Sequence, residues 1–134
     1  MHIDLEIPDV RSTFRSDICI IGGGIAGILL AARLGQDGRH VHPLEAGGLE
    51  LENRSQKLYH VEMAGYHHTG AADGRFRTFG GSSTRWGGQL LPYTDDVLHP
   101  DSRLGLPSWP LKLSELEPYY LPVQQAMGVS LSPF

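Results

Sequence analysis

The stretch Asp17–Glu45, DICIIGGGIAGILLAARLGQDGRHVHPLE, decides the reading of this chain. It divides into a strand, a glycine turn, a helix and a second strand that ends in a carboxylate. Ile18, Cys19, Ile20 and Ile21 form an unbroken apolar run, the pattern of a parallel strand covered on both faces. Gly22, Gly24 and Gly27 follow at G-x-G-x-x-G spacing. Ile28 to Leu34 supply helix formers, and Gly35 and Gly38 close the segment. Each of the first three glycines answers a separate need. Gly22 permits a tight turn, Gly24 lets main chain approach a pyrophosphate, and Gly27 lets the helix pack close to the sheet. The helix N-terminus then offers unpaired N–H groups and partial positive charge to phosphate. Glu45, 18 positions after Gly27, stands where a carboxylate accepts hydrogen bonds from ribose hydroxyls. It would repel a 2′-phosphate, which disfavours NADP; FAD and NAD both stay open on this stretch. A purely structural glycine turn is the competing reading. Strand, helix, spacing and terminal acid together favour the nucleotide. The expected fold class is α/β, with the N-terminal βαβ unit of a Rossmann-like FAD/NAD(P)-binding fold. Only two strands are evident, and a parallel pair needs further strands and helices to cover it, so the fold is expected to be incomplete in this chain.

Composition narrows the class of partner. The 134 residues carry 11 basic and 15 acidic side chains, a net charge of −4. That balance points away from nucleic acid and anionic membranes. A pyrophosphate would be held by local backbone geometry rather than by a basic field. The 17 glycines concentrate in 22–27 and 80–88, so they belong to motifs and not to low-complexity sequence. A single cysteine, Cys19, excludes an internal disulfide and reads as a buried, inert thiol. The 15 uncharged residues between Asp17 and Arg33 are too few for a membrane span and are broken by glycine. Asp4, Glu6 and Asp9 precede them, unlike the basic start of an export signal. The expectation is a cytoplasmic protein without a membrane-spanning segment.

Residues 1–15 read as a polar leader with Pro8, in which Arg11 and Arg15 have no evident role. Residues 16–134 read as the N-terminal portion of a cofactor-binding domain. Pro43 falls inside the second strand, where it has no N–H for a ladder. Either its position lies at the strand's end or the sheet is locally perturbed. Ser55 to Met63 predicts a short helix. His67 and His68 lie in a glycine-bounded loop, and with His2, His40, His42, His60 and His99 they read as loop residues without metal. The second informative stretch is Arg75–Gly88, RFRTFGGSSTRWGG. Its glycines permit close backbone approach, and Ser82, Ser83 and Thr84 offer hydroxyls to phosphate or ring acceptors. Arg75 and Arg77 lie within reach of the same loop, and Arg77 is a cofactor-binding candidate. A glycine-rich surface turn with a packing tryptophan is the equal alternative. Farther on, Ser114 with Glu117 fits a capping box, Pro122 predicts a kink or a restart, and Gly128 ends the helix. Trp109, Tyr119 and Tyr120 read as a packing cluster.

Taken in order, DICIIGGGIAG, the acid in LEAGG, FGGSSTRWGG and SWPLKLSELEPYY with its helix ending MGV resemble the N-terminal part of the glucose–methanol–choline oxidoreductases. The resemblance covers most of residues 16–129, nearest the sugar- and alcohol-dehydrogenase branch with tryptophan in the second motif. It implies non-covalent FAD, with Gly22, Gly24 and Gly27 at the pyrophosphate and Glu45 at the ADP ribose. Gly81, Ser82 and Ser83 would run beside the pyrophosphate and flavin. Where some relatives carry a histidine bonded to flavin, this chain has Arg85. The implied activity is oxidation of an alcohol or sugar CH–OH group by hydride transfer to flavin, with a histidine base taking the hydroxyl proton. That base and most of the substrate domain lie, in the family, in later sequence, so no catalytic residue is assigned here. No residue present identifies the electron acceptor. Two other readings stand beside this one. One is an amine- or amino-acid-oxidase type or NAD enzyme on the same nucleotide unit. The other is a non-catalytic, truncated product.

Overall fold

The computed structural model describes residues 2–8 and 13–129. Arg11 of the leader lies outside them; Arg15 is exposed. The chain forms two compact units, Met1–Trp86 and Gly87–Phe134.

The first unit is built on a βαβ element. Strand β1 (Ile18–Ile21) leads through the glycine turn into helix α1 (Ile25–Gln36), which returns to strand β2 (Val41–Leu44). The strands are parallel, in a register that runs from Ile18 opposite Val41 to Ile21 opposite Leu44. Gly24 caps α1 in an extended conformation. At the other end Arg39 N–H bonds Leu34 C=O at 3.0 Å and Gly38 N–H bonds Gly35 C=O at 3.0 Å. With Gly38 at φ 79° this is a Schellman ending. Gly35 therefore lies inside the helix, one turn earlier than a terminator.

Alternation along β1 turns Ile20 toward α1, where it is buried, and Cys19 and Ile21 to the opposite face. That opposite face is open: Ile21 is 89% exposed and the Cys19 thiol is exposed. The apolar run thus does not have both faces covered, and Cys19 is not a buried thiol. A single crossover helix covers one face of a sheet, and no described element covers the other. Pro43 fits β2 without distortion. Ile18 N–H and Gly22 N–H bond the carbonyls of His40 and Leu44, so the even-numbered residues of β2 face β1. Pro43 belongs to the alternate set, and its missing N–H points to the open edge.

Beyond β2, helix α2 (Asn53–Gln56) runs into a 3₁₀ turn at Lys57–Tyr59. The helical stretch starts earlier than Ser55 and ends well before Met63, because His60 leaves helical angles with ψ 133°. Its loose apolar spacing offers no continuous face for a longer helix to bury. A short helix α3 (Thr69–Ala72) follows His67 and His68.

In the second unit, helix α4 (Asp95–Leu98) delivers Leu98, which is 2% exposed, and Leu98 C=O accepts from Trp109 N–H at 2.8 Å. Helix α5 (Leu113–Ala126) starts one residue before Ser114. Its cap is the Lys112 N–H donating to the Glu115 carboxylate at 2.8 Å, in place of the Ser114–Glu117 pair. Pro118 and Pro122 both lie within α5. With Ser114 they line one exposed stripe at four-residue spacing, where water can take the carbonyls that the prolines leave without donors. Val129 N–H to Gln124 C=O and Gly128 N–H to Gln125 C=O, both 3.1 Å, end the helix as a second Schellman motif. Tyr120 lines an apolar groove with Leu116, Val123 and Leu90. Trp109 and Tyr119 are exposed, so the three aromatics do not form one packing cluster. Among the described residues, no helix is long and apolar enough to cross a membrane.

Candidate nucleotide-binding site

Gly22, with φ 109°, turns the chain out of β1, and its N–H still bonds Leu44 C=O at 2.7 Å. Ile28 N–H closes on Gly24 C=O at 2.9 Å, so the N–H groups of Ile25, Ala26 and Gly27 have no partner within the helix. Gly27 is required by packing. A Cβ there would lie 2.0 Å from the Gly22 carbonyl oxygen and 3.4 Å from Ile20 Cγ2. Gly24 is different. Its φ of −74° suits any residue, and a Cβ on it would meet nothing within 4 Å. Neither conformation nor internal packing explains a glycine at that position.

Glu45 is held at the mouth of this turn. One carboxylate oxygen, Oε2, accepts Gly23 N–H at 2.7 Å, and Oε1 accepts the N–H groups of Ala46 and Gly47, each at 2.9 Å. A carboxylate offers about four acceptor sites, so three main-chain donors leave one on Oε2. The acid thereby ties the end of β2 to the glycine turn and keeps one acceptor position unused.

The second glycine stretch docks onto the first. Gly80 N–H donates to Gly23 C=O at 2.7 Å, giving a parallel bridge between Gly24 and Gly80. Gly81 lies so close that a Cβ on it would be 3.3 Å from Gly24 Cα. Residues 81–85 then wind into a 3₁₀ turn. Ser83 Oγ donates to Gly80 C=O at 2.6 Å and Thr84 Oγ1 to Gly81 C=O at 2.8 Å, so these two hydroxyl protons are used within the turn. Ser82 Oγ accepts Phe76 N–H at 3.1 Å, which leaves its own O–H free to donate. Of the hydroxyls read from sequence, Ser82 is thus the available donor.

The segment 75–79 is positioned by residues that the motif reading did not single out. The Gln56 side-chain amide donates to Arg75 C=O at 2.7 Å and accepts Arg77 N–H at 3.1 Å. Buried Thr78 donates through Oγ1 to Gly48 C=O at 2.9 Å, and Phe79 N–H reaches the same carbonyl at 2.9 Å. Gly47 is needed for this contact, since a Cβ on it would lie 2.2 Å from Arg77 C=O. The glycine pair that follows Glu45 was the available signal; Gln56 and Thr78 carry none that local sequence displays.

The Arg75 and Arg77 side chains engage Tyr59, and no hydrogen bond joins them to the 80–88 loop. Their guanidinium carbons lie 4.8 and 5.3 Å from the Tyr59 ring centroid, and Arg75 Nη2 donates to Tyr59 C=O at 3.1 Å. The Nε of each is buried without a partner. The Arg85 guanidinium sits 5.3 Å from the Phe76 ring. A polar cleft of about 270 Å³ opens beside this turn, lined by Glu50, Thr78, Thr84 and Arg85 among others. Among the described residues no group of three or more His, Cys, Asp or Glu side chains converges as a metal site.

No family model matches the chain, and no solved structure matches it. Among curated proteins it is similar to the fructose dehydrogenase large subunit of Gluconobacter japonicus. The two are 27% identical over 154 residues of alignment, which covers 89% of this chain and 28% of that protein. The chain therefore spans little more than a quarter of the length of this relative.

Proposed function

We propose that this chain is the nucleotide-holding part of an FAD-dependent oxidoreductase of the glucose–methanol–choline type, acting on an alcohol or sugar CH–OH group. The observation that carries the proposal is Gly24. Gly22 and Gly27 are accounted for by backbone angle and packing, whereas the missing side chain of Gly24 borders only open space. A bare Cα at the helix cap, with open space before it, leaves room for close approach of a diphosphate. The residues present fit FAD on further grounds. The 80–85 turn lies against the same glycines with a free Ser82 hydroxyl, and Glu45 keeps an acceptor beside Gly23.

In this reading Gly22, Gly24 and Gly27 hold the pyrophosphate with main-chain N–H groups. Glu45 accepts a ribose hydroxyl, and Gly81, Ser82 and Ser83 flank the pyrophosphate and flavin. Arg77 adds positive charge. FAD, when bound, supplies a two-electron acceptor. The chain's own contribution is binding and orientation, and the proton-accepting base of the reaction is not among its residues. The second glycine segment favours FAD over NAD, and the name of the Gluconobacter relative supports a dehydrogenase acting on a sugar.

Titration of the chain with FAD, followed by quenching of flavin fluorescence, tests the proposal. Saturable binding that Gly24→Val abolishes is expected, because a branched side chain would fill the approach to the turn. Equal binding by Gly24→Val, or displacement of FAD by equimolar NAD, would sink it.

A further inference from the structure

One peptide plane links helix α2 to the second glycine segment. Gln56, half-buried at the end of α2, aims its side-chain amide at residues 75–77. Its Nε2 donates to Arg75 C=O at 2.7 Å, and its Oε1 accepts Arg77 N–H at 3.1 Å. Only this orientation of the amide satisfies both groups, since one is an acceptor and the other a donor. A trans peptide points its C=O and N–H in opposite directions. The unit between Arg75 and Phe76 therefore turns its N–H away from Gln56, and that N–H donates to Ser82 Oγ at 3.1 Å. Gln56 and Ser82 thus stand at the two ends of one rigid plane.

This plane fixes the aim of a hydroxyl. With Phe76 N–H on one lone pair, Ser82 Oγ is held from its acceptor side and its O–H donates in the directions that remain. Ser83 and Thr84 spend their hydroxyl protons on the carbonyls of Gly80 and Gly81, inside the turn. Ser82 alone of the three is oriented by a group outside the turn. The groups assigned to the ADP half are set without Gln56. Gly22 N–H bonds Leu44 C=O, and Glu45 is held by the N–H groups of Gly23, Ala46 and Gly47. Resting on the FAD reading above, we propose that Gln56 is a positioning residue for the cofactor. It acts through the Arg75–Phe76 peptide to aim the Ser82 hydroxyl at the flavin side of FAD. It thereby sets the preference of the site for FAD over ligands that share only its ADP half. An apolar side chain at 56 would leave Arg75 C=O and Arg77 N–H without these partners, so the plane could tilt and Ser82 with it.

The test is titration of the 134-residue chain with FAD, followed by flavin fluorescence, and with ADP, followed by calorimetry, in Gln56→Met, Ser82→Ala and the double variant. Methionine keeps the length of the side chain and removes both hydrogen bonds. Gln56→Met should weaken FAD by about tenfold and ADP by less than about threefold. Ser82→Ala should do the same. The double variant should bind FAD no more weakly than the weaker single one, because both changes remove one contact. In Gln56→Met, amide exchange should quicken at Phe76 and Gly80 while Ile28 in α1 keeps its wild-type rate, which separates loss of aim from loss of fold. Unchanged FAD affinity, equal weakening of FAD and ADP, additive losses in the double variant, or quickened exchange at Ile28 would each overturn the role of Gln56 and leave the nucleotide site standing. A wild-type chain that fails to bind FAD would instead sink the FAD reading, and this role with it.

Discussion

Alanine substitution at two glycines of α1 should move stability in opposite directions, because only one of them touches the sheet. In a helix interior, replacing glycine with alanine stabilises by about 0.8–1.0 kcal/mol. Gly35 should show this gain, since a Cβ on it meets nothing within 4 Å and its φ is not left-handed. At Gly27 the same methyl would lie 2.0 Å from the Gly22 carbonyl oxygen. The obstacle is main chain, which cannot rotate aside, so helix and strand must separate. Overpacking costs about 1–3 kcal/mol, and a methyl this close to main chain belongs in the upper part of that range, about 2–3 kcal/mol, so with the propensity gain subtracted the net loss should be about 1–2 kcal/mol. Amide hydrogen exchange of α1, read at Ile28 N–H and its neighbours, reports the helix locally and needs no global transition. Gly27→Ala should speed exchange by about 5–30-fold, while Gly35→Ala slows it. If both variants move exchange in the same direction, the close contact between α1 and β1 does not govern the unit.

Three further outcomes follow from particular contacts. Thr78→Val keeps shape but removes the donor shared by Gly48 C=O, which still accepts Phe79 N–H, and Leu49 C=O; a loss of about 0.5–1.5 kcal/mol is expected, seen as faster exchange at Gly80 N–H. The Arg103 guanidinium and main-chain N–H beside Asp101 hold its carboxyl below the ordinary carboxylate value. A depressed folded value means that the contact's contribution is present above the unfolded carboxylate value and is lost as pH falls through the folded one. An NMR titration should show this, and Arg103→Ala should raise the Asp101 midpoint. Finally, on the proposed function, FAD should be released entirely by acid precipitation, because Arg85 stands where the family resemblance puts the flavin-linked histidine of some relatives; flavin retained on the polypeptide would refute non-covalent binding.

The order strand, turn, helix, strand was legible in 17–45 because each part is set by residues adjacent in sequence. A left-handed φ at Gly22, a contact with no room for Cβ at Gly27 and a helix stop at Gly38 are demands that residue type at fixed spacing can express. The same holds for Gly128 at the end of α5. Tertiary structure decided what depends on which segments meet. It set the 80–85 turn against Gly23 and Gly24 through one main-chain hydrogen bond, with Gln56 and Thr78 as its supports. It turned Arg75 and Arg77 to Tyr59, and it moved the α5 cap to Lys112 and Glu115. It also left Cys19 and Ile21 open, since an apolar run states that a face can be buried but not that a covering element is there. Main-chain donors and acceptors are the same in every residue, so their long-range pairing is chosen by the path of the chain and carries no signature in side-chain pattern.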